Sequence, residues 1–486
     1  MTVVLTGRSL TLEQVVTVAR TGERVEAEAE AVERVAAAWR VVERALEAGA
    51  SVYGVTTGVG VRKRVGLDPL GQRDFNARLI ENHRVGQGPV AEEDAVRATM
   101  LVLANVFAIG ASTVRPDLVR LVVDALNCGL HAEVRVLGSP GLADTAPMAD
   151  LAHALCRGYE LAPGEGLALL NNNAFGTALA ALAIADCARL LDALEVASAL
   201  DLEAFGANLS ILDVAVGEAR PLPTLVSTVA RLRALLDGSD LWSAPPRSLQ
   251  DPLSFRGTPH VLGAGRRALE IATQELEAEL NAAQGNPLVV VDPAEERIVS
   301  VANYEILPLA AALDFLRIVL ASVLTTANER MVKLLQAPLT GLPEGLAAVA
   351  GGTEDGLSEF GGLGQALVAE ARLLAQPVSY EVVSSSHAEG LEDRMTMAPL
   401  AARRLAEMVE LGERLAAIKL VVAAQAVDLR GNRLGAETGR AHREIRSVVP
   451  FKTADHPVPA DMDGLRSMVR SGALSQIAAD PAPPHD

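Results

Sequence analysis

Apolar residues recur at helical spacing along most of the chain. Between residues 24 and 47 they stand three, four or seven positions apart among charged residues, at Val25, Val32, Val35, Trp39 and Leu46. That spacing predicts an amphipathic helix, which Gly49 can end. Ahead of it, Thr11 and Gln14 have the spacing of a capping box, which predicts the start of an earlier helix.

Three later segments keep the same periodicity for much longer. They cover residues 165–205, 305–336 and 396–430 and are rich in Ala and Leu. Periodic patterns longer than about 25 residues are typical of long bundle helices. One hairpin is predicted, where LVVVDP at 288–293 is followed by RIVSVANY. The pattern therefore predicts a mainly α fold, with long bundle helices and a loop-rich N-terminal portion.

The Pro-rich loops near 219–224 and 243–259 lie inside this helical array and do not look like linkers between domains. We divide the chain into an N-terminal portion, 1–200, which contains the candidate lid and loop, and a long-helix bundle, 201–479. The last residues, 480–486, read DPAPPHD and are predicted to be disordered.

Composition and charge narrow the classes of function. Hydrophobic residues make up 50% of the chain but aromatic residues only 3%, which favours a helical core of Ala, Leu and Val. A net charge of −18 argues against nucleic acid as a partner, because the phosphates would be repelled. We expect no membrane partner, because charges such as Asp186 and Asp314 interrupt each apolar run before about 18 residues. No signal peptide is visible at the N-terminus, so a cytoplasmic protein is expected.

The cysteines indicate no metal centre. Cys128, Cys156 and Cys187 lie too far apart for a metal cluster, and three is an odd number for disulfides. Reduced, buried thiols are therefore expected, and no metal site is predicted.

Five loops combine glycine or polar residues in ways that suit chemistry. They are SVYGVTTGVG at 51–60, IENHRVGQG at 80–88, LLNNNAFGTAL at 169–179, QDPLSFRGTP at 250–259 and GLEDRMTMAP at 390–399. Their candidate residues are Tyr53, His83, Asn171, Arg256 and Glu392, and Glu392 is expected to open a long helix. Each loop taken alone also has a structural explanation: a packed Tyr, a hydrogen-bonding His, amides inside a helix, a surface salt bridge or a helix cap.

The order and spacing of these loops carry more information than any one of them. Together with RPDLVRLVVDALNCGLH, NPLVV, VANYE and NERM, they resemble the aromatic amino acid lyase family, from roughly residue 3 to 470. That family includes histidine, tyrosine and phenylalanine ammonia-lyases and aminomutases, and His83 and RSVVPFKTADHP are most like the histidine enzymes. The resemblance implies a homotetramer with long central helices. Ala-rich faces such as 177–191 are expected to stack across subunits.

The resemblance also implies roles for single residues. Tyr53 matches the tyrosine of a mobile lid, the base on the substrate β-carbon. Glu392 matches the glutamate at the substrate amino end, and His83 matches a position that helps set specificity. The substrate-binding positions are Asn171 (beside the electrophile), Arg256 (which clasps the carboxylate) and Asn303 (the Asn of the family's GNF segment).

The chain departs from the family at its defining loop. Family members read GSxGASGDLAP, and the Ala-Ser-Gly triad cyclises into a methylidene-imidazolone, MIO. This chain reads GSPGLADTAP, one residue shorter, with Leu142, Ala143 and Asp144 in place of the triad. Ser139 cannot substitute, because Pro140 follows it and has no N–H. We therefore expect no MIO and no other cofactor, and a structural role for Asp144 in capping the helix that begins at Ala146-Pro147.

Two further departures alter the substrate pocket. Leu253 stands where the family has the tyrosine of QDPY, so one hydroxyl is lost. Arg394 stands where the family has the histidine of EDH, so a cation is gained. Both positions are expected to contact the substrate.

Three functions remain open on the sequence. The leading hypothesis is a MIO-independent lyase or cyclase that uses Tyr-based acid–base catalysis on an activated small carboxylate or acyl substrate. The reaction would be an elimination or an intramolecular conjugate addition. One alternative is a histidine-type ammonia-lyase. The other is an inactive homologue that binds a small carboxylate or a partner subunit.

Overall fold

A computed structural model gives the structure of the chain. It describes all residues except Met1, Pro293, Gly352, 381–386, 454–456, 459–461 and 480–486. The described residues fold mainly as α helix, as the pattern predicted. The tail predicted to be disordered, 480–486, lies outside the described residues.

The helices of the N-terminal half include one long helix, Ala174–Phe205. In chain order they are α1 (Leu12–Thr21), α2 (Ala29–Glu47), α3 (Pro69–His83), α4 (Glu93–Ala108), α5 (Pro116–Asn127), α6 (Thr145–Leu155), α7 (Glu165–Leu170), α8 (Ala174–Phe205), α9 (Val214–Ala219) and α10 (Pro223–Leu235).

The second half contains three more long helices. In chain order its helices are α11 (Leu253–Arg256), α12 (Thr258–Leu280), α13 (Leu307–Leu334), α14 (Ala337–Thr340), α15 (Glu359–Leu374), α16 (His387–Gly390), α17 (Ala398–Arg430), α18 (Ala436–Val448), α19 (Asp463–Ser471) and α20 (Ala473–Ala479).

The described strands are short and pair two by two. They are β1 (Val3–Leu5), β2 (Val25–Ala27), β3 (Gln87–Val90), β4 (Arg135–Leu137), β5 (Leu288–Val290) and β6 (Arg297–Val299). β1 and β2 pair in parallel, whereas β3 with β4 and β5 with β6 pair antiparallel. The β5–β6 pair is the predicted hairpin, with Val289 opposite Ile298.

The chain forms two compact units, each assembled from three segments. The first unit contains Met1–Ala185, Ala272–Asp314 and Pro377–Arg403, and the second contains the remaining segments. Neither unit coincides with the division into 1–200 and 201–479, because α8, α12, α13 and α17 each continue from one unit into the other.

In the second unit, parts of the four long helices pack closely. A side chain on Gly265 of α12 would meet Leu191 and Val323 at 3.2 Å. A side chain on Gly412 of α17 would come within 2.4 Å of Leu190. Glycine at these points lets the backbones approach, so the core needs few aromatic residues.

The boundaries correct two predictions and confirm a third. Thr11 forms the predicted capping box with Gln14. Val25 lies in β2 and not in a helix, since α2 begins only at Ala29. The predicted helix 165–205 is interrupted between α7 and α8.

Two segments are long and apolar enough to cross a membrane, so the expectation that charges interrupt every such run is wrong. They are Glu165–Phe205 and Leu307–Leu334. However, 72% and 56% of their most apolar windows are buried inside the protein, which is typical of core helices.

The cysteines are free thiols, as expected, but their burial differs. Cys187 is buried, whereas Cys156 is partly exposed and Cys128 is exposed. Within the described residues, no cluster of three or more His, Cys, Asp or Glu could hold a metal ion.

Candidate active site

The break between α7 and α8 is made by three asparagines and belongs to the first unit. Asn171 ends α7, and its side chain donates to the carbonyl of Asn286 at 2.9 Å. Asn172 accepts the N–H of Ala174 at 3.0 Å. The sequence suggested amides inside one helix. They instead end one helix and begin the next, where their side chains satisfy backbone groups.

Asn173 joins two parts of the site. Its Oδ1 accepts the N–H of Ala143 at 3.0 Å, and its Nδ2 donates to the carbonyl of Tyr304 at 2.7 Å. Its own N–H donates to Oε1 of the buried Gln284 at 3.0 Å. One buried side chain therefore fixes the shortened loop against the segment that carries Tyr304.

Asp144 is the charged centre of the shortened loop. Its side chain is fully buried and accepts from the hydroxyl of Ser139 and from the N–H of Gly176 at 2.6 Å. Burial raises the pKa of this carboxyl to about 6, although both hydrogen bonds oppose the change. Asp144 precedes α6, but its side chain makes no capping bond there. The prediction that it caps the helix at Ala146-Pro147 is therefore wrong, and it binds the first turn of α8.

The other side of the loop is held by the segment before α17. The N–H of Met397 donates to the carbonyl of Pro140 at 2.9 Å, and the hydroxyl of Thr396 donates to the carbonyl of Gly141. Gly141 has a φ of +82°, and a Cβ there would come within 2.5 Å of the Thr396 hydroxyl oxygen. Only glycine fits this position.

Leu142 and Ala143 complete the loop. Leu142 forms a β-bridge with Glu305. Ala143 is buried and has a φ of +61°, which costs a residue with a Cβ about 1–2 kcal/mol. The hydrogen bond from its N–H to Asn173 helps to hold this conformation.

Tyr53 lies in the glycine-rich turn predicted to be a lid. Its hydroxyl oxygen accepts the N–H of Gly60 at 2.9 Å, so the turn closes on its own side chain. Burial raises the pKa of Tyr53, the bond from Gly60 lowers it, and the charges of Glu392 and Tyr304 raise it further. Tyr53 is thus near both groups.

Tyr304 and Glu305 also belong to this site, and sequence reasoning missed them. Burial raises the pKa of Tyr304, and the nearby charges of Glu392 and Glu305 raise it further. Asn303, the residue singled out in VANYE, is exposed. The available signal was that Tyr304 is the last residue of the predicted hairpin and Glu305 directly follows it.

Glu392 lies in a turn, and Arg394 lies in the irregular segment that follows it. Both are exposed, and α17 begins only at Ala398, so the prediction that Glu392 opens the long helix is wrong. Arg394 forms an ion pair with Glu305 at 3.5 Å. The cation gained in this chain therefore partly balances a carboxylate of the same site.

His83 is the last residue of α3. Its Nδ1 forms a hydrogen bond with the carbonyl of Leu79 at 2.8 Å, within the same helix. This geometry fixes the ring, and among the described residues no hydrogen bond joins it to Tyr53 or Glu392.

Arg256 and Leu253 lie in the second unit, on the short helix α11. The Nε of Arg256 donates to the carbonyl of Asp251 at 2.8 Å, and the side chain lines a cavity of about 280 Å³ with His260. Leu253 is 70% exposed. The two residues are thus on the surface of that unit.

Comparison with known proteins gives matches that cover most of the chain. The family model described as aromatic amino acid lyase matches residues 10–160 and 156–447. The histidine ammonia-lyase of Alkaliphilus metalliredigens is 32% identical over 491 residues, covering 96% of each chain.

Solved structures show the same fold. Ergothionase of Treponema denticola, described as an ergothioneine degrading enzyme, has a TM-score of 0.90 and 27% identity, covering 98% of this chain and 99% of its own. Histidine ammonia-lyase of Trypanosoma cruzi has a TM-score of 0.90 and 29% identity, covering 99% of this chain and 96% of its own. The predicted helical fold is thereby confirmed.

Proposed function

Because the chain belongs to the aromatic amino acid lyase family, we propose that it is a lyase-family enzyme that works without MIO. Its acid–base residues are Tyr53 and Glu392, with His83 at the specificity position. The substrate is an activated small carboxylate or acyl compound, and the reaction is an elimination or an intramolecular conjugate addition.

The residues of the shortened loop do not fit MIO. Its formation needs a serine that loses water and a glycine nitrogen that attacks a carbonyl, and Leu142, Ala143 and Asp144 supply neither. The hydroxyl of Ser139 is already bound to Asp144 and accepts the N–H of Gly141 at 3.1 Å. The proposed reaction therefore does not involve this group.

Without an electrophile, the substrate itself must be activated. An unactivated amine leaves poorly, and each ~1.4 kcal/mol of lost barrier lowering slows the reaction tenfold. A proton beside a carbonyl, a good leaving group or an unsaturated acyl acceptor removes this demand.

The position of the Tyr53 hydroxyl is the main support for this proposal. It is anchored by Gly60, and the negative charge of Glu392 acts on it. A positioned proton donor and acceptor is what general acid–base catalysis requires. A cationic substrate group would oppose the charge of Glu392 and so lower the pKa of Tyr53, which favours its action as a base.

The proposed substrate contacts extend to five other positions. Arg256 holds the substrate carboxylate, for which its planar guanidinium is suited. Leu253 makes the pocket more apolar, and Asn171, Asn303 and Arg394 bind the remaining polar groups. We also propose a homotetramer whose active sites combine residues of more than one chain.

The distinguishing experiment compares histidine, phenylalanine and tyrosine with their N,N,N-trimethyl derivatives. Trimethylamine leaves as a neutral molecule from a quaternary nitrogen, so its departure needs no electrophile. Ergothioneine, on which the similar Treponema denticola enzyme acts, is itself a betaine. We expect ultraviolet absorbance of urocanate, cinnamate or coumarate from a trimethyl derivative and none from its parent amino acid.

A histidine-type ammonia-lyase is the second candidate, favoured by the 32% identity to the Alkaliphilus metalliredigens enzyme. Rapid formation of urocanate from histidine itself would establish that candidate and refute a MIO-free enzyme. An inactive, ligand-binding homologue would bind the trimethyl derivatives in calorimetry but release no trimethylamine from them.

A further inference from the structure

The side-chain hydroxyl of Tyr304 does not help to hold the fold together. The side chain is half-buried, and among the described residues its hydroxyl has no hydrogen-bond partner. Its backbone, by contrast, is fixed, since its carbonyl accepts from Asn173 at 2.7 Å and the next residue, Glu305, bridges to Leu142. The backbone of Tyr304 is therefore held in the site while its hydroxyl stays available.

The two phenols of this site differ in one hydrogen bond, although burial and the charge of Glu392 raise the pKa of both. The hydroxyl oxygen of Tyr53 accepts an N–H from Gly60, which stabilises the phenolate. Tyr304 has no such donor, and the carboxylates of Glu392 and Glu305 both disfavour its phenolate. Because its pKa is raised above the ordinary value of 10.0, Tyr304 keeps its proton at neutral pH and can donate a hydrogen bond.

We propose that Tyr304 is a further catalytic residue, whose hydroxyl donates a hydrogen bond to the substrate atom on which negative charge develops. That atom is a carbonyl oxygen or an imidazole nitrogen conjugated with the carbon that loses its proton. This inference rests on the proposed function and narrows it, because an unsubstituted phenyl ring has no such atom.

The reaction balances without an oxidant or reductant. Tyr53 takes the C–H proton as its own proton passes to Glu392, and the C–H electron pair moves towards the accepting atom. The pair then forms the new double bond, and the leaving group departs with its bonding electrons. Tyr304 keeps its proton throughout, and its hydrogen bond is strongest in the charged transition state.

The test compares two substrates in the Tyr304→Phe variant. N,N,N-trimethyl-L-histidine has an acceptor nitrogen in its ring, and N,N,N-trimethyl-L-phenylalanine has none. We expect kcat for the histidine derivative to fall about 100-fold or more, as when an oxyanion donor is removed, with little change for the phenylalanine derivative. Equal losses for both substrates, or no loss for either, would overturn the inference.

Tyr159→Phe is the matched control. Tyr159 is also partly buried, and its hydroxyl has no partner among the described residues, but its surroundings are Glu165 and Arg115 instead of Glu392. Its substitution should leave both rates unchanged.

If the wild-type protein converts neither substrate, only the proposed substrates are refuted. A titration then tests whether the hydroxyls of Tyr53 and Tyr304 share a site. Tyrosinate absorbance is followed with pH, and the signal of Tyr53 is identified by its loss in Tyr53→Phe. At the alkaline pH of this titration Tyr304 also ionises, and its charge raises the pKa of Tyr53. In Tyr304→Phe that charge is absent, so the pKa of Tyr53 should fall. If that pKa matches the value in Tyr159→Phe, the two hydroxyls do not share a site and the inference is wrong.

Discussion

The carboxylate of Asp144 accepts the backbone N–H of Gly176 at 2.6 Å, so a residue beside α6 closes the first turn of α8. The first N–H groups of a helix have no partner within it, and a negative charge there is favourable. A Cβ on Gly176 would lie 3.1 Å from the Asp144 oxygen. Asp144 thus connects the shortened loop to a helix of 32 residues.

The first prediction concerns the pH dependence of this connection. The carboxyl has a folded-state pKa of about 6, above its ordinary value of 3.8. The folded state therefore binds the proton more tightly, and the resulting stability is present below pH 3.8 and lost as the pH rises through 6. Compared with Asp144→Asn, the wild type should lose about 3 kcal/mol of unfolding free energy between pH 4 and pH 8, at ~1.4 kcal/mol per pKa unit.

Urea unfolding of both proteins at matched pH measures this difference. Asp117→Asn is the control, because the Asp117 side chain is 63% exposed and should show no such dependence. Wild-type and Asp144→Asn stabilities that change in parallel with pH would contradict the assignment.

Tyr53→Phe is predicted to abolish turnover without harming the fold. General acid–base groups contribute about 10²–10⁴-fold in rate, so kcat on any converted trimethyl derivative should fall by at least that factor. Circular dichroism and light scattering should match the wild type, and Tyr159→Phe should keep full activity. Full activity in Tyr53→Phe with loss in Asp144→Asn would place the chemistry on the other side of the site.

The intact mass tests the absence of MIO directly. Cyclisation with dehydration removes two waters, whereas an unmodified loop leaves the encoded mass. Mass spectrometry of the purified chain should give the encoded value, and tryptic peptides spanning Leu142 should agree. A deficit of two waters would show that this loop does form the group.

Assembly is predicted to be tetrameric, but through other surfaces than the sequence suggested. Most of the Ala-rich segment 177–191 is already buried within its own chain. In the second unit, Leu249, Phe315, Ile318 and Leu373 are instead 88%, 42%, 45% and 68% exposed. Phe315 and Ile318 stand three positions apart on α13 and therefore share a face of that helix, and contiguous exposed apolar surface marks sites of association. Light scattering at micromolar concentration should give a tetramer, and a monomer would contradict the proposal.

The local pattern of apolar residues predicted much of the fold but few of the hydrogen bonds that hold the site together. The long helices and the hairpin follow from periodicity within each segment, which needs no distant partner. The break at Asn171–Asn173 was missed because apolar residues keep their helical spacing on both sides of it. What stabilises the break are the carbonyls of Asn286 and Tyr304, more than 100 positions away.

Partners that lie far away in the sequence also explain the wrong predictions for single residues. Glu392 has the sequence context of a helix cap, yet α17 begins six residues later, at Ala398. Asp144 was expected to cap the adjacent helix, but the backbone N–H that its side chain accepts lies in α8. Tyr304 directly follows Asn303, which the resemblance singled out. Only the nearby charges of Glu392 and Glu305 identify Tyr304 as a residue of the site.

The way the shortened loop is held bears on whether the family's Ala-Ser-Gly triad could be built into this chain. Backbone groups of Pro140, Gly141, Ala143 and Asp144 are all bonded to other segments. An Ala-Ser-Gly triad needs one more residue, and any insertion must displace at least one of these bonds. Three point substitutions alone therefore do not supply the triad in a loop of the family's length, which takes an insertion together with remodelling of the segments that hold the present loop.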